Sequence, residues 1–422
     1  MKKITTLIPS CGEPNFAAFV AIDWADELHA FSLCPAGSGR VESGTVRQDP
    51  QSLHQWLAEL GQRFGGQPVA VAVELTRGPL VWALHEHPFV TIYPVTPVTS
   101  AKLRQGLYPA GAKSDPADSR LLLMILQHHR DRLRPLRWDE TQTRLLGQLA
   151  ADRRHAVEQR TALVEQLTAA LKEYFPLALE VAGKLTQDVA CRFLEKWPSL
   201  EELQAATPHR IRKFFYGQNC RADLEPRLQQ IKAACALTGD PAVLEPGRRK
   251  VQLLAQMIVL LNEHIRQYED RIAPLYREHP DRGIFESLPG AGAALGPRLL
   301  TAFGMDRGRF AAALNLANYS GIAPVQKSSG KSRLCFKRLA FPPFLHQTLF
   351  EFAGKSVGFS VWARNYYQAQ RKKGRAHNTI LRALAFKWTR VLWRCWQDSR
   401  PYDEQVYLAA LQRAGSPYAA QN

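Results

Sequence analysis

Three strand-length runs, residues 19–23, 29–34 and 40–46, follow one another with Ala25-Asp26-Glu27 and Gly37-Ser38-Gly39 as the turn segments between them. Links this short leave no room for a crossover, so the runs must form an antiparallel meander. Residues 52–64 then carry helical periodicity, and the chain returns to a run that is apolar at every position, Val69-Ala70-Val71-Ala72-Val73. A strand without a polar side reads as buried on both faces. A helix near residues 80–85, a strand at 90–95, and helices around Ser100 and across 115–129 complete this part of the chain.

A meander followed by alternating helix and strand is the element order of a ribonuclease H-like fold. There, carboxylates arrive from the ends of the first and fourth strands and from a later helix. Asp23 closes Phe19-Val20-Ala21-Ile22, Glu74 closes the 69–73 run, and Asp115 and Asp118 open the 115–129 helix. The last two are three residues apart and so share one helical face. Carboxylate oxygens suit Mg²⁺, and a two-ion site stabilises both the attacking and the leaving oxygen of a displacement at phosphorus. Asp115 stands before Pro116 and also reads as a helix cap, while Asp23 and Glu74 also read as solvated strand-end residues.

At 422 residues the chain supports roughly two or three domains. A hydrophobic content of 45% with 22% charged residues is globular rather than disordered. The formal net charge of +17 favours a polyanionic partner, nucleic acid before a membrane surface. The longest apolar stretches, such as residues 253–261, fall far short of the ~20 residues of a spanning helix, so no membrane is expected and the location is expected to be cytoplasmic. Seven cysteines without a Cys-x-x-Cys pair argue against a disulfide framework or a structural zinc.

From residue 141 to 175 apolar residues recur at helical spacing amid Arg and Glu, and a second such stretch runs from 248 to 272, ending just before Pro274. Paired long helices read as a coiled-coil arm or as a bundle packed on the same chain. The stretch between them reads as shorter helices broken by Pro198, Pro208, Pro226 and Pro241. Further on, Leu288-Pro289-Gly290-Ala291-Gly292 leads into a helix near 293–303, and the glycine turn resembles half of a helix-hairpin-helix element, with Gly290 and Gly292 placed to present N–H groups to phosphate. A basic loop, Lys327-Ser328-Ser329-Gly330-Lys331-Ser332-Arg333, follows. Arg364, Arg371, Lys372, Lys373 and Arg375 are interleaved with Tyr and Trp, and with Lys113, Lys327, Lys331 and Arg333 they form the candidate nucleic-acid contacts.

Together Ala21-Ile22-Asp23, Val73-Glu74-Leu75-Thr76-Arg77-Gly78, Lys113-Ser114-Asp115-Pro116-Ala117-Asp118, Leu288-Pro289-Gly290-Ala291-Gly292, Ser320-Gly321-Ile322-Ala323-Pro324 and Ser328-Ser329-Gly330 resemble the DEDD-type transposases of the insertion sequence 110 family, described as bridge-RNA-guided serine recombinases. The resemblance implies an α/β plus all-α chain: a RuvC-like metal domain (1–135), a coiled-coil and helical region (136–280) and a mostly helical transposase domain (281–422). By carry-over Asp23, Glu74, Asp115 and Asp118 would hold Mg²⁺. The family's nucleophilic serine directly precedes glycine, which selects Ser329 over Ser328. The family also implies donor and target double-stranded DNA, a noncoding bridge RNA encoded by the element, and a homo-oligomer, a dimer assembling to a tetramer. Residues 177–246 form a larger middle region than in shorter members. Two other readings of the same residues are a junction-resolving nuclease that uses water, and a non-enzymatic RNA- and DNA-binding protein.

Overall fold

The computed structural model describes residues 15–107, 115–220, 223–329 and 332–419. The chain divides into two compact units, Met1–Trp138 and Asp139–Asn422.

In the first unit β1 (Ala18–Asp23), β2 (Leu28–Pro35) and β3 (Glu42–Arg47) form the meander, while β4 (Val69–Val73) and β5 (Val90–Pro94) extend the sheet in parallel from the other edge of β1, giving the order β3-β2-β1-β4-β5. Helix α1 (Pro50–Arg63) carries the first crossover. Asp49 caps it by accepting from the Ser52 N–H at 2.8 Å, and Pro50 stands where no helical N–H is required. Helix α2 (Pro79–His85) carries the second crossover, and α3 (Pro97–Leu107) and α4 (Asp115–His129) follow β5.

All five residues of β4 are buried, and they divide by parity. Val69, Val71 and Val73 join Val20, Ile22, Leu57 and Leu80 in a core that includes residues of α1 and α2. Ala70 and Ala72 join Ala21, Leu122 and Leu126 of α4 on the opposite face. Side chains this small let a helix lie close against the sheet. Its approach is fixed by a buried hydroxyl pair, Ser119 of α4 to Ser32 of β2 at 2.9 Å.

The second unit is built on two long helices, α5 (Thr141–Tyr174) and, after α6 (Ala178–Val181), α7 (Asp188–Lys196), α8 (Leu200–Gln204), α9 (Pro208–Gly217) and α10 (Glu225–Ala233), α11 (Pro241–Glu278). They are antiparallel within one chain: Arg153 of α5 meets Glu269, Arg160 donates to Asn262 at 2.8 Å, and Tyr174 packs on Gly247. Around the Tyr174 end the short helices close a core of Phe193, Phe215 and Trp197. At the other end α12 (Arg282–Glu286), α13 (Gly292–Phe303), α14 (Ala313–Tyr319), α15 (Pro343–Phe359), α16 (Val361–Lys372), α17 (His377–Gln397) and α18 (Glu404–Arg413) enclose Phe303, Trp362, Trp388 and Trp396. A hairpin of β6 (Val325–Ser329) and β7 (Ser332–Phe336) stands between α14 and α15 in sequence.

The sequence ends the second long helix before Pro274, but α11 runs through both Pro246 and Pro274. An interior proline costs a helix about 3 kcal/mol. Burial of Ile272 and Tyr276 on either side of Pro274 holds the helix together across it.

Two tests follow from this packing. Ala72→Leu should crowd α4 and lower stability by about 1–3 kcal/mol in urea unfolding. The second concerns His279, a buried side chain that accepts the Asp281 N–H on Nδ1 at 3.1 Å and so keeps its proton on Nε2, 2.9 Å from Thr143 Oγ1. Burial lowers its pKa, as it does for His346. The unfolded chain binds these protons below about pH 6.5 while the folded chain still excludes them, so stability present above that value is lost as pH falls toward the folded pKa. The melting temperature should therefore drop between about pH 7.5 and about pH 5.5, and His279→Gln should flatten part of that slope.

Candidate active site

The register of β1 against β4 pairs Ile22 with Val73. Asp23 and Glu74 are the next residues on each strand, so the two carboxylates stand at adjacent strand ends. Parity puts both on the face that carries Ala21, Ala70 and Ala72, where α4 packs. Each is half-buried. The turn beyond Asp23 is pinned by buried His29, whose Nδ1 accepts from the Ala25 N–H at 3.1 Å and whose Nε2 donates to Gln48 at 2.5 Å.

Asp118 lies on α4 next to Ser119, buried to 5% exposure, and its Oδ1 is 2.8 Å from the Arg104 guanidinium. Ser100 donates to Glu74. Ser100 and Arg104 are four residues apart on α3, hence on one face. One helix therefore supplies the donor to Glu74 and the cation to Asp118. Helix α4 opens at Asp115, but the Asp115 side chain and all of Lys113 lie outside the described residues. Among the described residues no three His, Cys, Asp or Glu side chains gather around one point. Asp23 and Glu74 offer carboxylate oxygens of the kind a hard cation takes, whereas Asp118 is not brought to one point with them and is ion-paired with Arg104.

In the second unit the Pro-Gly turn has backbone reasons of its own. Gly290 has φ +80°, and a Cβ there would come within 2.8 Å of the Phe359 ring; Gly292 has φ +54° with open space around it. Gly321 has φ +73° and lies against Phe341, and the buried Ser320 carbonyl accepts from His346 Nδ1 at 2.9 Å. This braced turn leads into the hairpin, where Ser329 pairs with Ser332. Ser328 and Ser329 are both exposed, and strand alternation turns them to opposite faces. Lys331, and the side chains of Lys327 and Arg333, lie outside the described residues. Arg364 donates to the Val357 and Gly358 carbonyls that end α15. Arg371, Lys372, Lys373 and Arg375 are exposed around the Gly374 turn, with Arg371 also donating to the Arg375 carbonyl at 3.2 Å.

Two family models match the chain: DEDD transposase of IS110 type over residues 20–176, and transposase of the IS116/IS110/IS902 family over residues 282–368. The chain belongs to the IS110 family of transposases. The first match contains all four acidic candidates, and the second contains Gly290, Gly292, Ser329 and Arg364. Among relatives of this IS110-family chain, the IS117 mini-circle protein of Streptomyces coelicolor, which carries a transposase name, is 28% identical across 96% of this chain and all of its own length. The 42 kDa protein of insertion element IS900 from Mycobacterium paratuberculosis is 25% identical over 88% of this chain and 93% of its own. No helix among the described residues is long and apolar enough to cross a membrane.

Ser100, Arg104 and His29 were not singled out from the sequence. The i, i+4 spacing of Ser100 and Arg104 is the signal that could have found the first two, given the strand ends to aim them at. Breaking the Arg104–Asp118 pair leaves a nearly buried charge, so Arg104→Ala should lower stability by about 1–3 kcal/mol. A double-mutant cycle with Asp118→Ala should recover part of that loss.

Proposed function

We propose that this IS110-family transposase is an RNA-guided DNA recombinase that uses Ser329 as its nucleophile. The Ser329 Oγ attacks a DNA phosphorus, forming a phosphoserine ester while the bond to the 3′ oxygen breaks. The serine proton is released and the departing 3′ oxygen takes one up. After strand exchange a free 3′-hydroxyl attacks the phosphoserine, and the serine hydroxyl is restored. Each step exchanges one phosphate ester for another, so no nucleotide cofactor is consumed. A serine hydroxyl needs activation at neutral pH.

Asp23, Glu74, Asp115 and Asp118 would hold Mg²⁺, which when bound supplies charge compensation at the phosphate oxygens. Ser100 and Arg104 keep Glu74 and Asp118 oriented. The cations around Ser329 and on the link between α16 and α17 take the backbone of donor and target DNA and of an element-encoded bridge RNA, in keeping with the net charge of +17. Exchange between two duplexes calls for a homo-oligomer, a dimer assembling to a tetramer.

The observation that most supports this reading is the pairing of Ile22 with Val73, which makes neighbours of two carboxylates distant in sequence, in a chain that also exposes Ser329 on the β6–β7 hairpin. The test incubates the protein with its flanking noncoding RNA, Mg²⁺ and donor plus target DNA, then maps DNA-linked peptides by mass spectrometry after denaturation. An adduct on Ser329 is expected. It should vanish in Ser329→Ala and Asp23→Ala and persist in Ser328→Ala. Cleaved DNA without an adduct would favour a nuclease that uses water; binding with neither product would favour a non-enzymatic nucleic-acid-binding protein.

A further inference from the structure

The β6–β7 hairpin that carries Ser329 is two-sided. Its register opposes Val325 with Phe336 and Ser329 with Ser332, and directly opposed residues of an antiparallel ladder share a face. Strand alternation then places Val325, Ser329, Leu334 and Phe336 on one side and Gln326, Ser328 and Cys335 on the other. On the Ser329 side Leu334 is 56% exposed and Phe336 is 46% exposed, and neither joins a hydrophobic cluster among the described residues. Two large apolar side chains thus stand at the surface on the face of the candidate nucleophile. Apolar groups grouped in this way mark a surface that a partner covers.

The composition of the hairpin points to that partner. Residues 325–338 include Lys327, Lys331, Arg333, Lys337 and Arg338 and no carboxylate. A second copy of a chain with a net charge of +17 is a poor match for such a segment, whereas a duplex offers phosphates to the cations and stacked bases to the apolar groups. A two-stranded ribbon fits a DNA groove, and apolar side chains that reach the bases from a groove part neighbouring base pairs. Residues two apart on a strand are about 6.8 Å apart, so Leu334 lies about that far from the level of Ser329 and Ser332. Two base steps of a duplex span about the same distance.

We propose that Leu334 and Phe336 form a wedge that unstacks DNA base pairs beside the phosphate presented to Ser329. The proposal rests on the recombinase reading above and deepens it. Strand exchange requires unpaired bases next to the broken bond, and the wedge opens them from the same hairpin face that carries the attacking hydroxyl.

The experiment uses the full chain with its flanking noncoding RNA, Mg²⁺ and donor plus target DNA, as wild type and as the double variant Leu334→Ser with Phe336→Ser. Both side chains are exposed, so the variant should keep the melting temperature of the wild type. The base analogue 2-aminopurine, which brightens when unstacked, is stepped along the DNA to find the opened step, and a second DNA set carries mismatched pairs at that step. The wild type should brighten one step or two adjacent steps, and the variant none. Adduct formation on Ser329 should fall about tenfold in the variant on fully paired DNA and return to within about twofold of wild type on the mismatched DNA. No brightening at any step in the wild type, or equal brightening in both proteins, would overturn the wedge. So would an adduct yield that falls equally on paired and mismatched DNA, which would make this face a packing surface between protein segments. Brightening that the variant loses, with no Ser329 adduct on any DNA, would keep the wedge and sink the serine-recombinase reading.

Discussion

The parallel pairing of β1 with β4 is the constraint on which the rest of the first unit depends. Adjacent strands lie about 4.8 Å apart, so a register that matches Ile22 with Val73 sets Asp23 and Glu74 side by side. The same parity that sends Val71 and Val73 to one core sends Ala70 and Ala72 to the other, and both carboxylates fall on the alanine side. Only on that side is there room for α4 to come close enough for Ser119 to reach Ser32, and α4 is the helix that carries Asp118. A slip of one residue in either strand would turn its carboxylate toward α1 and α2 and put a valine against α4. Core and site therefore share one specification.

The second unit uses a different device. Helices α5 and α11 are joined by apolar contacts toward their two ends, in separate cores, while their midsection is held by polar groups: Arg153 with Glu269, Arg160 with Asn262, and Asn262 in turn with Asp188 of α7. Buried or half-buried polar pairs add little net stability but fix which residue faces which. Toward the other end, Arg154 of α5 and Arg298 of α13 both bind Glu351 of α15, and Gln347 of α15 donates to Glu158 of α5. The helix pair is thus the platform that orients α13, and through α13 the turn at Gly290–Gly292.

Much of this was legible because the chain marks its own boundaries. The acids that end β1 and β4 and the start of α4 at Asp115 are punctuated by residue types whose backbone or capping preferences are strong, whereas α1 begins two residues earlier than its periodicity suggests, at the Asp49–Pro50 cap. Where tertiary packing overrides local preference the sequence misleads, as at Pro274. The hairpin reads as a loop in sequence because Gln326-Lys327-Ser328-Ser329 has no apolar alternation; among the described residues its strands pair only with each other. Arg298 was hidden for a related reason. It sits within the apolar run of α13, and only three-dimensional packing reveals that its guanidinium is buried there and bound to Glu351 of α15.

Charge compensation by α3 links these observations. Carboxylates gathered at strand ends repel one another and, half-buried, lose hydration, so a fold that holds them needs donors close by. Ser100 and Arg104 meet that need from one helical face. In the proposed metal site a divalent cation drawing on the same Asp118 oxygen would displace or share with Arg104, whose side chain is 24% exposed. If that exchange costs about 1–3 kcal/mol, it weakens cation binding by roughly one to two orders of magnitude relative to an uncompensated acid cluster. In the proposed metal site, cation occupancy would then be sensitive to any anion that drew the Arg104 guanidinium away from Asp118.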